Sequence, residues 1–318
     1  MRRKFDYQLG KINGTSSAGR FIYANGVEDG DSPKKIQPLI SIVTPSFNQA
    51  SFISEAIDSV RLQNYPNLEH LIMDGSSTDG TVEILSRLAA EEKYSHLKWL
   101  SEPDGGQSAA LNKGFGQAHG EIIGWLNSDD RYRAGCFEQV VQAFESNCDV
   151  DILYGDYTIV DKVGKVISVR PEIEFSSFIL FHHHVSYIPT TATFFRRRIF
   201  EEGNRLKENF HYAMDYELFV RLAARGYRFK HLPAILADFR LQSTSKTCSA
   251  PHLQLIEHQQ IVRASSPIAR RFKSKRLQLY ALKSLRVVAA VRRYTEKLLR
   301  GHYLRQVSFR ILYKKDVI

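Results

Sequence analysis

The sequence predicts an α/β fold in which a mostly parallel, Rossmann-like central sheet carries helices on both faces and a basic helical region follows at the C-terminus. Three observations predict it. Short apolar, β-branched runs alternate with stretches of helical period. Polar and acidic residues cluster where those runs end, which is where ligands bind in sheets of this kind. Positive charge is concentrated late in the chain. With 43% apolar and 25% charged side chains, 318 residues can bury a sizeable core, and a disordered or low-complexity chain is excluded.

The elements come in order. Residues 1–36 are polar and aperiodic and read as an extension. Residues 38–45, closed by Pro45, form a strand buried on both faces. Between 49 and 63, Phe52, Ile53, Ala56, Ile57 and Val60 recur at helical spacing, and 68–73 is a parallel partner strand. A second helix begins at Asp79, a suitable cap. Strand 97–100, helix 107–117, strand 121–126 and helix 134–144 continue the alternation. Then the pattern changes: 151–154 is a strand, and 157–160, a turn at 161–164 and 165–169 read as a β-hairpin. Residues 190–195 form one more strand, 214–224 a helix ending at Gly226, and 227–231 and 235–239 two short strands. From 252 onward everything reads as helix. The domain division is an extension over 1–36, a main domain over 37–245 with halves at 37–130 and 131–245, and a basic helical region over 246–318.

The net charge of +10 belongs to the end of the chain. From Arg263 to Ile318 there are sixteen Lys and Arg against two acids, a balance of +14, which leaves the rest at −4. Leu277, Leu282, Leu285, Val288 and Val291 interleave with these cations. The pattern fits a basic amphipathic helix on an anionic membrane surface, or one packed on the main domain with a solvated basic face. Nucleic acid is disfavoured as a partner, because aromatics are sparse in this stretch and no known nucleic-acid module appears. No apolar run reaches membrane-spanning length and the N-terminus lacks a signal-peptide core, so a cytoplasmic protein, peripheral at the inner face of the plasma membrane, is expected. Cys136, Cys148 and Cys248 form no metal or disulfide pattern and read as reduced thiols.

The chemistry-bearing residues sit at strand ends. Asp74 either accepts a hydrogen bond from a base or ribose or is a plain loop acid, whereas capping fully accounts for Asp79. Asp129 and Asp130 are adjacent carboxylates after an apolar strand; they repel each other unless a cation such as Mg²⁺ or Mn²⁺ lies between them and a substrate phosphate. A helix cap is the plainer reading of Asp130. Asp215, in the first turn of a helix, is a general base or a dipole partner, with Glu217 solvated or bonded to backbone. His182, His183 and His184 cannot all face one ion and read as a polar loop in an acceptor-facing wall over 181–193. Arg196, Arg197, Arg198 and Arg240 are candidate phosphate contacts, Arg240 for a diphosphate.

With these segments in this order the sequence resembles a family 2 glycosyltransferase of the GT-A fold, from about residue 40 to 245. The likeness rests on Thr44-Pro45-Ser46-Phe47-Asn48, Asp74-Gly75-Ser76-Ser77-Thr78-Asp79-Gly80-Thr81, Ser101-Glu102-Pro103-Asp104-Gly105-Gly106-Gln107-Ser108, Asn112-Lys113-Gly114, Asn127-Ser128-Asp129-Asp130 and Met214-Asp215-Tyr216. It implies that Thr44, Pro45 and Asn48 line a nucleotide pocket, that Asp74 reads uracil or an equivalent base, and that Asp104 and Lys113 close over the donor. It implies further that Asn127, Ser128 and Asp129 stand at the metal motif and that Asp215 is the catalytic base. The implied reaction is inverting transfer from a nucleotide-diphosphate sugar, UDP-linked, to a carbohydrate or lipid-linked acceptor in surface polysaccharide synthesis. Asn127 replaces an acid of that motif, Gly75 replaces a second acid beside Asp74, and Gln242 stands where many relatives carry histidine. A sugar-1-phosphate nucleotidyltransferase is the rival enzyme, but the loop after the first strand has no glycine. A non-catalytic sugar-nucleotide-binding module is the other rival, and it has no use for Asp215.

Overall fold

The computed structural model describes residues 37–242, 251–266, 271 and 273–302. The expected extension over 1–36 and Cys248 lie outside these residues.

Four parallel strands come first: β1 (Ile40–Ser46), β2 (Leu68–Asp74), β3 (Leu97–Ser101) and β4 (Ile122–Trp125). They are connected by α1 (Ile53–Arg61), α2 (Thr81–Ala89) and α3 (Gln107–Gln117). The second half contains β5 (Arg131–Tyr132), α4 (Cys136–Glu145), β6 (Ile152–Val160), β7 (Val166–Arg170), α5 (Ser177–His182), β8 (Thr193–Arg196) and α6 (Arg198–Glu201). After these come α7 (Met214–Ala224), β9 (Phe229–Arg240), α8 (Pro251–Ser265) and α9 (Lys275–Leu299). The sheet order is β3-β2-β1-β4-β8-β6-β9-β5, with β7 beside β6.

Every residue of β1 is buried, as a central strand covered on both faces requires. One face packs Val43, Leu71, Trp125, Phe195 and Phe219 together; the other packs Ile40, Ile42, Phe137, Phe144 and Phe194. Each such side chain contributes about 1.5–3 kcal/mol on burial. Helix α3 lies close on the sheet because residue 114 is glycine: a Cβ there would stand 2.3 Å from Val43 Cγ1.

The second half departs from the expected elements in three places. Residues 151–154 and 157–160 belong to one strand, β6, whose far end forms the expected hairpin with β7. The two short strands after Gly226 are one strand, β9, which runs through Pro233. Its register on β6 skips between Leu232 and Ile235, so proline occupies an irregularity and no ladder donor is lost there. Thr190–Ala192 is a single 3-10 turn ahead of β8.

From Pro38 onward the chain packs as one unit. Helix α8 packs on α7, and α9 packs on α5. On its inner face α9 buries Leu282 and Ala289 and places Arg293 and Lys297 each 3.1 Å from the buried Glu172 carboxylate. Among the described residues no helix is long and apolar enough to cross a membrane.

Candidate active site

The parallel register sets Ser46 beside Asp74 and Asp74 beside Ser101, so three strands end level and their loops form one rim. The rim opens on a cavity of about 750 Å³, a size suited to a small ligand. Pro45, Ser46, Phe47 and Gln49 line it from the end of β1, Gly75 from β2, Asp104 and Gln107 from the β3–α3 turn, and Asn127, Ser128 and Asp129 from β4. The far half is built from Thr190, His211, Tyr212, Met214, Asp215, Phe239 and, from α8, Gln254.

Of the residues read from the sequence, Pro45, Asp104, Asn127, Ser128, Asp129 and Asp215 meet in this cavity. Asn48 ties two loops together: its backbone N–H donates to Ser77 Oγ at 2.7 Å and its side-chain oxygen accepts the Thr78 N–H at 3.0 Å. Lys113, part-exposed on α3, pairs with Glu102. Thr44 is fully buried and shares a hydrogen bond with His70 Nε2. Asp74 is 2% exposed, and its carboxylate accepts hydrogen bonds from the Ser77 N–H, Ser77 Oγ and Ser101 Oγ. These contacts make Asp74 a brace for the rim. Asp79 accepts the Thr81 N–H at the start of α2 and the Ala50 N–H at 2.9 Å, which joins the same two loops that Asn48 joins.

Arg240 is a correction. It is 2% exposed, and its donors go to Glu55, the Asp129 carbonyl and the Asp161 and Lys162 carbonyls, with the guanidinium 5.1 Å from the centre of the Phe52 ring. Turning it toward a diphosphate would give up these hydrogen bonds and leave the three backbone carbonyls without their donor. It acts instead as the support beneath the Asp129–Asp130 turn. Arg196, Arg197 and Arg198 are likewise remote: Arg196 pairs with Ile122, at the start of β4 rather than its end, and Arg198 pairs with Asp151.

Asp130 is not part of the cavity lining. It is 2% exposed, and its carboxylate accepts the Arg240 backbone N–H at 2.9 Å and Asn127 Nδ2 at 3.0 Å. Burial and the neighbouring Asp129 carboxylate raise it far above the usual carboxylate range. It neither caps α4, whose capping position is Gly135, nor opens on the cavity. Asp129 does face the cavity. Burial raises its pKa, and a 2.7 Å hydrogen bond from Gln242 Nε2 opposes the rise. The Gln242 departure therefore sits directly on Asp129. Asn127 accepts from Trp125 Nε1 at 3.0 Å and from Gln107 Nε2 at 3.1 Å.

Gly75, the other departure, is explained by its neighbour. A Cβ at 75 would stand 3.0 Å from Asp104 Oδ2, so the space beside Asp74 holds the Asp104 carboxylate. Asp104 is itself fixed by the Gly106 N–H at 2.7 Å.

Asp215 enters the cavity from the first turn of α7. Burial raises its pKa, while the Tyr216 backbone and His258 favour its charged form. Glu217 points the other way, buried between Lys207 and Arg221 at 2.7 and 2.9 Å. The three consecutive histidines are buried rather than forming a polar loop. Burial, with Arg286 and other nearby cations adding to it, pushes His183 and His184 down to about 4. They pack under α8 and α9: the His184 carbonyl accepts from His258 Nδ1, and the His183 ring meets Tyr294 edge-on. Among the described residues no group of three or more His, Cys, Asp or Glu could hold a metal by itself.

Phe47 and Gln254 are site residues to which sequence reasoning assigns no role. Phe47 is 61% exposed at the rim, and an exposed aromatic inside a strand-end motif is a usable signal. Gln254 gives none, because it lies in the stretch that reads as tail.

Residues 41–203 match the family model described as "Glycosyl transferase family 2". The hyaluronan synthase of Pasteurella multocida is 27% identical over 251 residues, 77% of this chain, and the chain spans only 25% of that synthase. Residues 1–349 of TarS from S. aureus, in complex with UDP-GlcNAc, superpose with a TM-score of 0.61 at 16% identity, covering 84% of this chain and 75% of that one. A mannosyltransferase from Pyrobaculum calidifontis, in complex with GDP-Man and Mn²⁺, gives a TM-score of 0.52 at 18% identity over 88% and 89% of the two chains.

Proposed function

The chain belongs to glycosyl transferase family 2, and from that premise we propose that it moves a sugar from a nucleotide-diphosphate donor, UDP-linked, to an acceptor hydroxyl with inversion at the anomeric carbon. The observation that carries the reading is the charge of the cavity. Asp104, Asp129 and Asp215 line it, and among the described lining residues there is no Lys or Arg. A diphosphate entering such a site needs positive charge brought with it, which fits Mg²⁺ or Mn²⁺. The donor present suits a hard cation: the Asp129 carboxylate lines the cavity, with Oδ2 accepting from Gln242 Nε2. When bound there, such an ion neutralises charge growing on the leaving diphosphate.

The chain's own groups supply the rest. Phe47 offers an open aromatic face to the base. Asp215 takes the proton from the acceptor hydroxyl as the new bond forms, and its raised pKa brings it closer to the operating pH. The hyaluronan synthase likeness supports polysaccharide synthesis as the setting, with a carbohydrate or lipid-linked saccharide as acceptor. Incubating the protein with a panel of nucleotide sugars is expected to release nucleotide diphosphate from one donor class, with release stopped by EDTA and restored by Mn²⁺ or Mg²⁺. Release that persists in EDTA rejects the metal, and silence across the panel rejects the reaction.

Helix α9 supports a membrane-surface partner. Its outward face carries Leu277, Tyr280, Val287, Val291, Tyr294 and Leu298 at spacings of three, four and seven residues, all more than half exposed. Arg276, Lys283, Arg286 and Arg292 lie beside this stripe. Two copies of so basic a helix repel, whereas anionic lipid satisfies both the stripe and its flanks. Binding to vesicles containing phosphatidylserine is expected to weaken by about tenfold or more when Val287, Val291 and Leu298 become serine, and to weaken with salt. Equal binding by this variant, whose changes touch only exposed positions, removes the lipid reading.

A further inference from the structure

The N-terminus of α7 lacks a cap of its own. The capping position is Ala213, whose side chain accepts nothing, and the preceding loop brings His211 and Tyr212 into the cavity wall. The missing acceptor comes from α8. Glu257 Oε1 accepts the His211 N–H at 3.0 Å, and Oε2 accepts the Tyr212 and Ala213 N–H groups at 2.8 and 2.7 Å. A carboxylate taking three consecutive backbone donors fixes that strap in position and charge. One turn earlier, Gln254 Nε2 donates to the Tyr212 carbonyl at 3.2 Å and lines the cavity. The next residue, His258, lies with its ring 4.4 Å from the ring of Tyr216, directly after Asp215. All three α8 residues share one helix face at spacings of three and four.

We propose that Glu257 is a positioning residue for the transfer reaction: by holding the His211–Ala213 strap it sets Asp215 and the acceptor wall in register with the donor. This rests on the reading of Asp215 as the base. It also makes α8, which lies beyond the matched family segment, part of the working site.

The test uses the full-length Glu257→Gln protein, which keeps the side chain's shape and one acceptor oxygen, and Glu257→Ala beside it. Amide hydrogen exchange at 211–213 is expected to quicken in both variants, more in the alanine, with protection in β1 and β2 unchanged. With the donor found by the nucleotide-sugar panel, kcat is expected to fall by about 100-fold in the alanine variant and less in the glutamine variant. Donor KM is expected to stay within about twofold. Unchanged exchange at 211–213 overturns the proposal. So does a wild-type kcat with a loosened strap, or a loss of kcat matched by loss of donor affinity and of protection throughout. If the wild-type protein transfers sugar from no donor, the functional reading fails, and the exchange experiment still decides whether Glu257 holds the strap.

Discussion

Replacing Asp215 with asparagine is expected to lower the transfer rate by about 10² to 10⁴-fold while leaving donor binding unchanged, because the amide keeps the shape but cannot take a proton. The pH dependence supplies a second readout. A base acts only when deprotonated, and burial raises the Asp215 pKa above the ordinary carboxylate value. The rate should therefore fall on the acid side at a pH higher than a solvent-exposed aspartate would give. In Asp215→Asn that limb should disappear together with the rate. The measurement is a pH–rate profile of both proteins beside donor affinity by calorimetry. A variant that turns over at the wild-type rate ends the assignment, and a variant that loses donor binding moves Asp215 to the donor side.

The second large effect concerns Asp129. Its replacement by alanine removes the carboxylate that faces the cavity beside the Asn127 and Gln242 amides. Charge stabilisation of several kcal/mol is lost with it, so turnover should fall by about 100-fold or more at a fixed Mn²⁺ concentration. Part of the loss should be recovered at higher Mn²⁺, because weakened affinity can be met by mass action. A metal titration of rate separates the outcomes: the same half-saturating Mn²⁺ in both proteins would show that Asp129 does not hold the ion. The parallel change at Asp130 should behave differently. Its oxygens are committed to the Arg240 N–H and Asn127, so its loss should appear first as lower stability.

Much of the first half is legible in the sequence because its signals are local. A buried parallel strand shows as an unbroken apolar run, and the residues just after it must lie at the rim; this locates Pro45, Asn127 and Asp129 without any long-range information, whereas Asp104 is read through the family resemblance. The first turn of α7 is legible on another ground, the helical period of the apolar residues from Met214 to Ala224. The direction of side chains whose partners are far off in sequence is not. Arg240 reaches Glu55, 185 positions away, and Thr44 and Asp74 turn into the interior next to Pro45 and Gly75, which line the cavity. The buried histidines escape for a related reason. Three polar residues in a row look like loop until α8 and α9 are laid over them. Glu257 and Gln254 stand in a segment whose net charge dominates its reading, although neither residue carries that charge.

Asn127 shows how one position of the turn after β4 constrains another. Its amide is asymmetric: the oxygen meets two N–H donors, from Trp125 and Gln107, and the nitrogen meets the Asp130 carboxylate. An aspartate has no donor to offer Asp130, so an acid at 127 would set a second carboxylate against the buried one. The two positions are therefore coupled through one hydrogen bond, and the amide at 127 and the acceptor at 130 work as a unit.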